Sequence, residues 1–233
     1  MEEKKEVTDN AKEEKEKEYH EEITDPKEKE ALEKFKNSIA TITDKKDKLV
    51  IDLYVLLDND LLIHFLEIIK YKKATKAILE YFHWKAKINL DDIYLNYRLK
   101  ELYKFQLIMP SCFHKITKDG FPVYYQVMSQ FNADEFLKLG TVEEMVKYAL
   151  NIAEKLEREY FKICSKIKGK YIHGSVSVID FSGINSSILN TKILSYLKKI
   201  SKVQIYYPEM LEGSYVVNAN LFLDHFILYV KCL

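Results

Sequence analysis

Two serine hydroxyls stand close together in a short β-branched run, and this is the first pattern in the chain that could do chemistry. Ser175 and Ser177 belong to the run Gly174-Ser-Val-Ser-Val-Ile-Asp180, which is closed by Gly183. Because side chains alternate between the two faces of a strand, both hydroxyls are expected on the same face. Such a pair could hold a phosphate group. Alternatively, the two hydroxyls could bond to each other or to the backbone.

A hydrolase would need a base and an acid beside one of these serines, and the sequence does not favour that arrangement. His173 and Asp180 lie seven residues apart on one predicted strand, so they cannot both face the same serine. The sequence contains neither a glycine-rich phosphate loop nor a Gly-x-Ser-x-Gly elbow. We therefore expect no covalent catalysis, no metal and no cofactor.

The serine run is followed by a helical pattern and a second apolar run. Apolar residues recur at the spacing of one helix face from Ile188 to Ile200. The segment Tyr206-Tyr-Pro-Glu209 and the short run Ser214-Tyr-Val-Val-Asn218 come next. Two short apolar strands joined by a helix favour a parallel pair with a right-handed crossover.

The segment before the serine run predicts a hairpin and then a long helix. Asp119-Gly120 is a favoured tight-turn pair with alternating apolar residues on both sides. Thr141 and Glu144 form a capping box that opens a helix to about Lys168, and Gly169 ends it. The residues predicted to face the core are Met145, Tyr148, Ala149, Ile152, Leu156, Tyr160 and Ile163.

The N-terminal part divides into a charged arm and a helical unit. Residues 1–24 are rich in Glu and Lys, so we expect a disordered arm. Residues 25–88 predict a small helical unit that starts at Asp25-Pro26 and continues in helices at about 49–57, 60–70 and 73–87. Within the last of these, Trp84 is interpreted as a packing anchor between helices.

Composition and charge indicate a globular protein of a reducing compartment. The first 35 residues carry 14 acidic and 8 basic side chains, and since the whole chain is neutral, the remainder carries a net charge of +6. A mildly basic body suits an anionic membrane surface, although a solvated lysine-rich surface explains it as well. The three cysteines leave one necessarily unpaired, which favours free thiols. The scattered lysines predict no nucleic-acid partner, and the charged N-terminus predicts no signal peptide.

These motifs, in this order, resemble a known family. The serine run Ser175–Gly183, the Tyr-Tyr-Pro-Glu segment and the run Tyr215-Val-Val-Asn218-Ala219 resemble the CRAL-TRIO lipid-binding domain. Within that family the chain is most similar to the phosphatidylinositol/phosphatidylcholine transfer proteins of the secretory pathway. The resemblance implies an α/β fold, with a helical unit at 25–88 followed by a largely parallel sheet with helices at 89–233.

The resemblance also implies a headgroup site for phospholipid. A strand pair that meets the phosphate of phosphatidylcholine corresponds to Ser175 and Ser177. Two tyrosines of that site correspond to Tyr124 and Phe113, so one hydroxyl is lost, and a third corresponds to Ala153. The inositol-lipid site corresponds to Ile69, Lys70 and Glu209, so its arginine is replaced by isoleucine.

The chain ends earlier than the family pattern does. After Asn218-Ala219 the family continues into a mobile gate helix, a further strand and a closing segment, whereas here only residues 221–233 follow, with a helix-like pattern. A shortened sheet predicts an exposed edge strand. We therefore expect a cytoplasmic protein that associates peripherally with membranes and binds and transfers phospholipid. The alternative is a degenerate lipid fold that recruits a protein partner at the exposed sheet edge or presents lipid without transferring it.

Overall fold

The computed structural model describes residues 20, 22–42, 44, 45, 47, 60–63, 71–184, 190–204, 206, 207 and 209–219. The predicted helix at 49–57, the C-terminal pattern at 221–233 and most of the arm at 1–24 lie outside the described residues. Of the predicted helix at 60–70, residues 60–63 are described and are helical.

Along the described chain, four helices precede the first two strands, and the remaining helices lie between the later strands. The helices are α1 (Pro26–Ala40), α2 (Tyr71–Ile88), α3 (Leu90–Asn96), α4 (Leu102–Ile108), α5 (Ala133–Lys138), α6 (Val142–Lys155), α7 (Phe161–Lys168) and α8 (Thr191–Gln204). The strands are β1 (Ser111–Ile116), β2 (Pro122–Val127), β3 (Ser175–Asp180) and β4 (Leu211–Val217). The fold is therefore the mixed α/β arrangement that the sequence predicts, with helices preceding the sheet.

The strands form one mixed sheet in the order β1-β2-β3-β4. Strands β1 and β2 pair antiparallel, while β2–β3 and β3–β4 pair in parallel. The predicted parallel pair joined by a helix is therefore confirmed, with α8 as the connection. In the described part of the chain β4 is an edge strand, and Leu211, Tyr215 and Val217 are exposed on it.

The hairpin between β1 and β2 turns at the predicted Asp119-Gly120 pair. Gly120 has a φ of +111°, which favours glycine, and an added Cβ would lie 2.5 Å from Cγ of Lys168. The Thr117 hydroxyl accepts hydrogen bonds from the backbone N–H groups of Gly120 and Phe121 at 3.2 and 3.1 Å. The turn therefore packs closely against the end of α7 and fixes the hairpin.

The long helix begins at the predicted capping box but is not a uniform α-helix. The Thr141 hydroxyl accepts from the Glu144 N–H at 3.2 Å, and the Glu144 carboxylate accepts from the Thr141 N–H at 2.7 Å. Residues Leu156–Tyr160 are a π-helical segment, which we call the π segment, between α6 and α7. Helix α7, the last part of the long helix, ends at Gly169 in the left-handed conformation, as predicted.

The π segment corrects the predicted core face of this helix. Ile163 was expected to face the core but is 50% exposed. Because the i→i+5 bonding of a π-helix places more residues in a turn than an α-helix, it rotates the following residues relative to the preceding ones. Downstream of it Phe161, Cys164 and Ser165 are the buried residues instead.

The N-terminal helices pack against each other and against the segment that precedes β4. Asp25 caps the N-terminus of helix α1, where its carboxylate accepts from the Lys27 N–H at 2.8 Å. Its buried residues Phe35 and Ile39 share a hydrophobic cluster with Ile78 of α2. Trp84 of α2 stacks on Tyr206 at a centroid distance of 4.4 Å, which agrees with its interpretation as a packing anchor.

A cluster of polar side chains around the buried carboxylate of Glu154 joins α3 to the long helix, and we call Asp91, Glu154, Arg158 and Tyr207 the buried charge cluster. Arg158 Nη2 lies 2.5 Å from Asp91 Oδ1 and 2.5 Å from Glu154 Oε2. The Tyr207 hydroxyl donates to Glu154 Oε1 at 2.7 Å, and Glu154 is only 3% exposed. These contacts tie three segments that are distant in sequence and so fix where the long helix lies.

Candidate functional site

Four residues from four strands lie side by side on one face of the sheet. Phe113 pairs with Tyr124, Tyr124 with Ser177, and Ser177 with Ser214. Directly paired residues of neighbouring strands point to the same side. We call Phe113, Tyr124, Ser177 and Ser214 the cross-strand row. Three of them were predicted as site residues from the sequence, and the sheet register brings those three together.

Aromatic rings pack around the Phe113 end of the cross-strand row. The ring centroids of Phe113 and Tyr124 are 5.1 Å apart, and those of Phe113 and Tyr160 are 4.8 Å apart. Tyr160 is the last residue of the π segment, so the irregular turn places this ring over the sheet. Burial raises the pKa of the Tyr124 phenol, which keeps its hydroxyl neutral and able to donate a hydrogen bond.

Two further tyrosines approach Tyr124 from the helices. Tyr148 lies on α6 and Tyr196 on α8. Both pack against a hydrophobic cluster that includes Phe105 and Phe136. Burial, together with the nearby phenols of Tyr124 and Tyr148, raises the pKa of Tyr196. Raised pKa values keep the hydroxyls of Tyr124, Tyr148 and Tyr196 neutral at physiological pH.

The two serines of β3 have different hydrogen-bond partners. The Ser175 hydroxyl donates to the backbone carbonyl of Met210 at 2.8 Å, and the Ser175 N–H donates to the same carbonyl at 2.9 Å. The Ser177 hydroxyl donates to Ser214 Oγ at 2.8 Å. Ser175 and Ser177 are 6% and 9% exposed. Of the alternatives open from the sequence, the backbone partner therefore holds for Ser175, while Ser177 bonds to a hydroxyl of the next strand.

Glu209 lies apart from the cross-strand row. It is exposed on the loop before β4 and has a φ of +56°. Its backbone carbonyl approaches Gly174 so closely that an added Cβ there would lie 3.2 Å from it. Gly174 itself has a φ of +96°, so glycine at this position lets the loop sit against the start of β3. Ile69 and Lys70, the other residues of the predicted inositol-lipid site, lie outside the described residues.

The side chains that could have formed a hydrolytic centre are engaged elsewhere. His173 Nε2 lies 3.0 Å from a carboxylate oxygen of Glu157 on the π segment. The Asp180 carboxylate accepts from the Asn218 amide at 2.9 Å and from the Ser182 N–H at 2.8 Å. Among the described residues, no group of three or more His, Cys, Asp or Glu side chains could hold a metal ion.

Sequence reasoning missed four residues of this region: Tyr148, Tyr160, Tyr196 and Ser214. Tyr148 and Tyr160 were predicted only as core residues, and nothing in the sequence connects Tyr196 with Tyr124. Ser214 was included in a predicted strand, but its neighbour Ser177 is known only from the register between β3 and β4.

A protein-family model matches the part of the chain that contains the described sheet. The model described as the CRAL/TRIO domain matches residues 109–233, which include all the strands. The chain belongs to the CRAL/TRIO family. The match begins inside the region 89–233 that the sequence analysis assigned to the sheet domain.

This CRAL/TRIO chain is similar to a protein named as a lipid transfer protein and to a protein named as a cytosolic factor. It is 29% identical over 166 residues to the phosphatidylinositol/phosphatidylcholine transfer protein SFH11 of Arabidopsis thaliana, covering 70% of this chain and 44% of that protein. It is 30% identical over 166 residues to the SEC14 cytosolic factor of Kluyveromyces lactis, covering 70% of this chain and 55% of that protein. The chain spans about half the length of these curated relatives.

A solved structure shares the fold. The crystal structure of Sfh5 superposes with a TM-score of 0.67 at 16% sequence identity, covering 91% of this chain and 77% of that one. At this level of identity the likeness concerns the fold alone. None of the helices in the described ranges is both long enough and apolar enough to cross a membrane.

Proposed function

We propose that this CRAL/TRIO chain binds a phospholipid, with the headgroup at the cross-strand row, and exchanges it between membranes without covalent chemistry. The observation that carries the proposal is the row itself. Residues that the family resemblance selects on β1, β2 and β3 fall into register on one face of the sheet. The names of the relatives support the same ligand class.

The side chains around the row suit the two parts of a phospholipid. Neutral hydroxyls can donate to phosphate oxygens, which would otherwise be costly to take out of water. Ile179 shares a face of β3 with Ser177 and is half-buried, and Leu194 and Leu197 of α8 are half-buried near it. Each methylene of an acyl chain buried against such side chains contributes about 0.8 kcal/mol. The hydroxyls would therefore select the headgroup, and the apolar side chains would supply most of the affinity.

Lipid occupancy of the purified chain tests the proposal directly. Protein purified without detergent should release phospholipid on organic extraction, detected by mass spectrometry, and should move labelled phosphatidylcholine between vesicles. Ser177→Ala should lower the load per folded molecule, whereas Ser195→Ala, an exposed serine on α8, should not. Folded protein that neither carries lipid nor loads it from vesicles would contradict the proposal. That result would favour the alternative, a module that recruits a protein partner at the β4 edge.

Headgroup preference follows from the residues of the predicted inositol-lipid site. An arginine binds a phosphate through two parallel hydrogen bonds, and isoleucine stands at that position as Ile69. Lys70 and Glu209 alone would bind the inositol headgroup weakly. Competitive loading from mixed vesicles should therefore favour phosphatidylcholine, and a clear preference for phosphatidylinositol would contradict this assignment.

Membrane contact would be peripheral and dependent on charge. The net charge of +6 outside the acidic first 35 residues supports attraction to an anionic bilayer. Sedimentation with vesicles should increase when phosphatidylserine is added and decrease when salt is raised, because salt screens exposed charges. Binding that ignores both variables would argue against an electrostatic contribution.

A further inference from the structure

The hydroxyls of β3 are not equally available to a ligand. Ser175 is buried, and its proton is directed to the Met210 carbonyl that also receives the Ser175 N–H. This double contact holds the loop before β4 against the start of β3. A ligand could take the Ser175 proton only by breaking the hydrogen bond from its side chain to this carbonyl, which would leave the Met210 carbonyl with the Ser175 N–H as its remaining donor.

In the hydrogen bond between Ser177 and Ser214, Ser177 is the donor and Ser214 is the acceptor. Ser177 is buried and donates its proton to Ser214 Oγ at 2.8 Å. Ser214 is exposed, and in the described part of the chain its side chain has no other hydrogen-bond partner. A serine hydroxyl can accept and donate at the same time. The Ser214 hydroxyl can therefore donate its own proton to a ligand while it accepts from Ser177.

The chemistry of the pair favours an anionic oxygen as that acceptor. A hydroxyl that already accepts a hydrogen bond is polarised and becomes a better donor, and donation to a charged oxygen is stronger than donation to a neutral one. Beyond Ser177 the row continues with Tyr124 and Phe113, two and three strands from Ser214, which add one neutral donor and one apolar ring. None of these side chains carries a charge, so none repels the oxygens of a phosphodiester that accepts the Ser214 proton.

We infer that Ser214 donates to the phosphate of the bound phospholipid, with Ser177 polarising it from behind, and that Ser175 serves to hold the loop. This inference rests on the proposed function, since it assumes that the phospholipid headgroup lies at the cross-strand row. It goes beyond the family resemblance, which selects Ser175 and Ser177 and assigns nothing to Ser214. The expected phosphate-binding pair is therefore Ser177 and Ser214.

The test compares two serines with two lipids that differ in the phosphate. Ser214→Ala and Ser175→Ala would each be loaded from vesicles containing phosphatidylcholine or diacylglycerol, which lacks the phosphate. Ser214→Ala should lower phosphatidylcholine loading by about tenfold, equivalent to 1.4 kcal/mol, and leave diacylglycerol loading unchanged. Ser214→Thr keeps the hydroxyl and should restore most of the loading. Ser175→Ala should lower the melting temperature and keep the ratio of the two lipids.

The outcomes separate this inference from the proposed function. If the unmodified chain loads neither lipid, the proposed function fails and the inference fails with it. If the unmodified chain loads phosphatidylcholine and Ser214→Ala loads it equally well, only the inference is overturned. A selective loss of phosphatidylcholine in Ser175→Ala at unchanged melting temperature would overturn it in favour of the pair selected by the resemblance. Because Ser214→Ala also removes the acceptor of the buried Ser177 hydroxyl, its melting temperature is measured on the same sample and loading is expressed per folded molecule.

Discussion

The buried charge cluster and the cross-strand row are both polar, but they are built from different groups. The cluster contains two carboxylates and a guanidinium within 2.5 Å contacts, and Glu154 in it is almost completely buried. The row contains two hydroxyls, a phenol and an apolar ring. Contacts between ionic groups persist, because separating them inside the protein costs several kcal/mol. Neutral hydroxyls can exchange partners at much lower cost.

This difference assigns the two regions to different tasks. Persistent ion pairs suit a structural contact, such as the packing of α3 and Tyr207 against the long helix. Exchangeable hydroxyls suit a ligand that must enter and leave. Substitutions in the cluster should therefore change stability and leave lipid loading per folded molecule unaffected, while substitutions in the row should do the reverse.

Glu154→Gln should have the largest effect on stability. Neutralising the buried Glu154 carboxylate leaves Arg158, whose side chain is 31% exposed, with Asp91 as its remaining partner, and should lower the free energy of unfolding by about 2 kcal/mol. Urea unfolding followed by circular dichroism measures this. Glu143→Gln is the matched control, since Glu143 lies on the same helix and pairs with Lys199 at the exposed surface. An equal effect of the two substitutions would remove the distinction between the cluster and the surface.

Alkaline pH should weaken the cluster through Tyr207. Burial, with the charge and hydrogen bond of Glu154, raises the pKa of Tyr207 above its usual value of 10.0. A raised pKa in the folded state means that the stabilisation is complete below pH 10 and is lost as pH rises beyond it. One such proton corresponds to about 1.4 kcal/mol per pH unit. Urea unfolding between pH 8 and 11 should therefore show a shallower decline in Tyr207→Phe, and identical slopes would contradict the assignment.

Tyr124→Phe should lower lipid loading while leaving stability nearly unchanged. Removing one hydroxyl from the row eliminates a hydrogen bond of about 1 kcal/mol, or roughly fivefold in affinity for phosphatidylcholine. Tyr125→Phe is the matched control, because Tyr125 is the next residue on the same strand, lies on the opposite face and is 40% exposed. Loss of loading in the control alone would place the headgroup on the other face of the sheet.

Phe113→Tyr should have the smallest effect and the opposite sign. It adds the hydroxyl that the family resemblance leads us to expect at this position, beside the Tyr124 ring. We expect phosphatidylcholine loading to rise by about two- to threefold, since part of the hydrogen-bond energy is offset by desolvation. Vesicle loading measures it. A decrease would mean that the space around Phe113 is filled by Tyr160 and cannot accept the added oxygen.

Local sequence patterns predicted the parts of the fold that local interactions determine. The hairpin at Gly120, the capping box at Thr141 and the strand at Ser175 each depend on a few consecutive residues, and all three were confirmed. The π segment was missed because its insertion in the long helix leaves the apolar pattern nearly periodic. That omission made the prediction for Ile163 wrong.

Contacts between distant residues could not be predicted from one sequence. Glu154 and Arg158 look like an ordinary exposed helix pair, yet Asp91 bonds to Arg158 and Tyr207 bonds to Glu154 from distant segments. The same holds in the candidate site, where the pairing of Ser177 with Ser214 depends on a register shift next to Ser175. The family resemblance selected residues of the row, but it could not assign a partner to each hydroxyl.

The stacking of Trp84 on Tyr206 makes the tryptophan an intrinsic fluorescence probe of this contact. Trp84 is the only tryptophan among 233 residues, so the indole emission of the chain arises from one place. That place is the contact between α2 and the loop that leads to β4, where Tyr207 also touches Trp84 edge-on at 6.4 Å. Any movement of this loop during lipid exchange would change the surroundings of the indole. Its fluorescence would therefore follow the opening of this contact in the unlabelled protein, without an introduced dye.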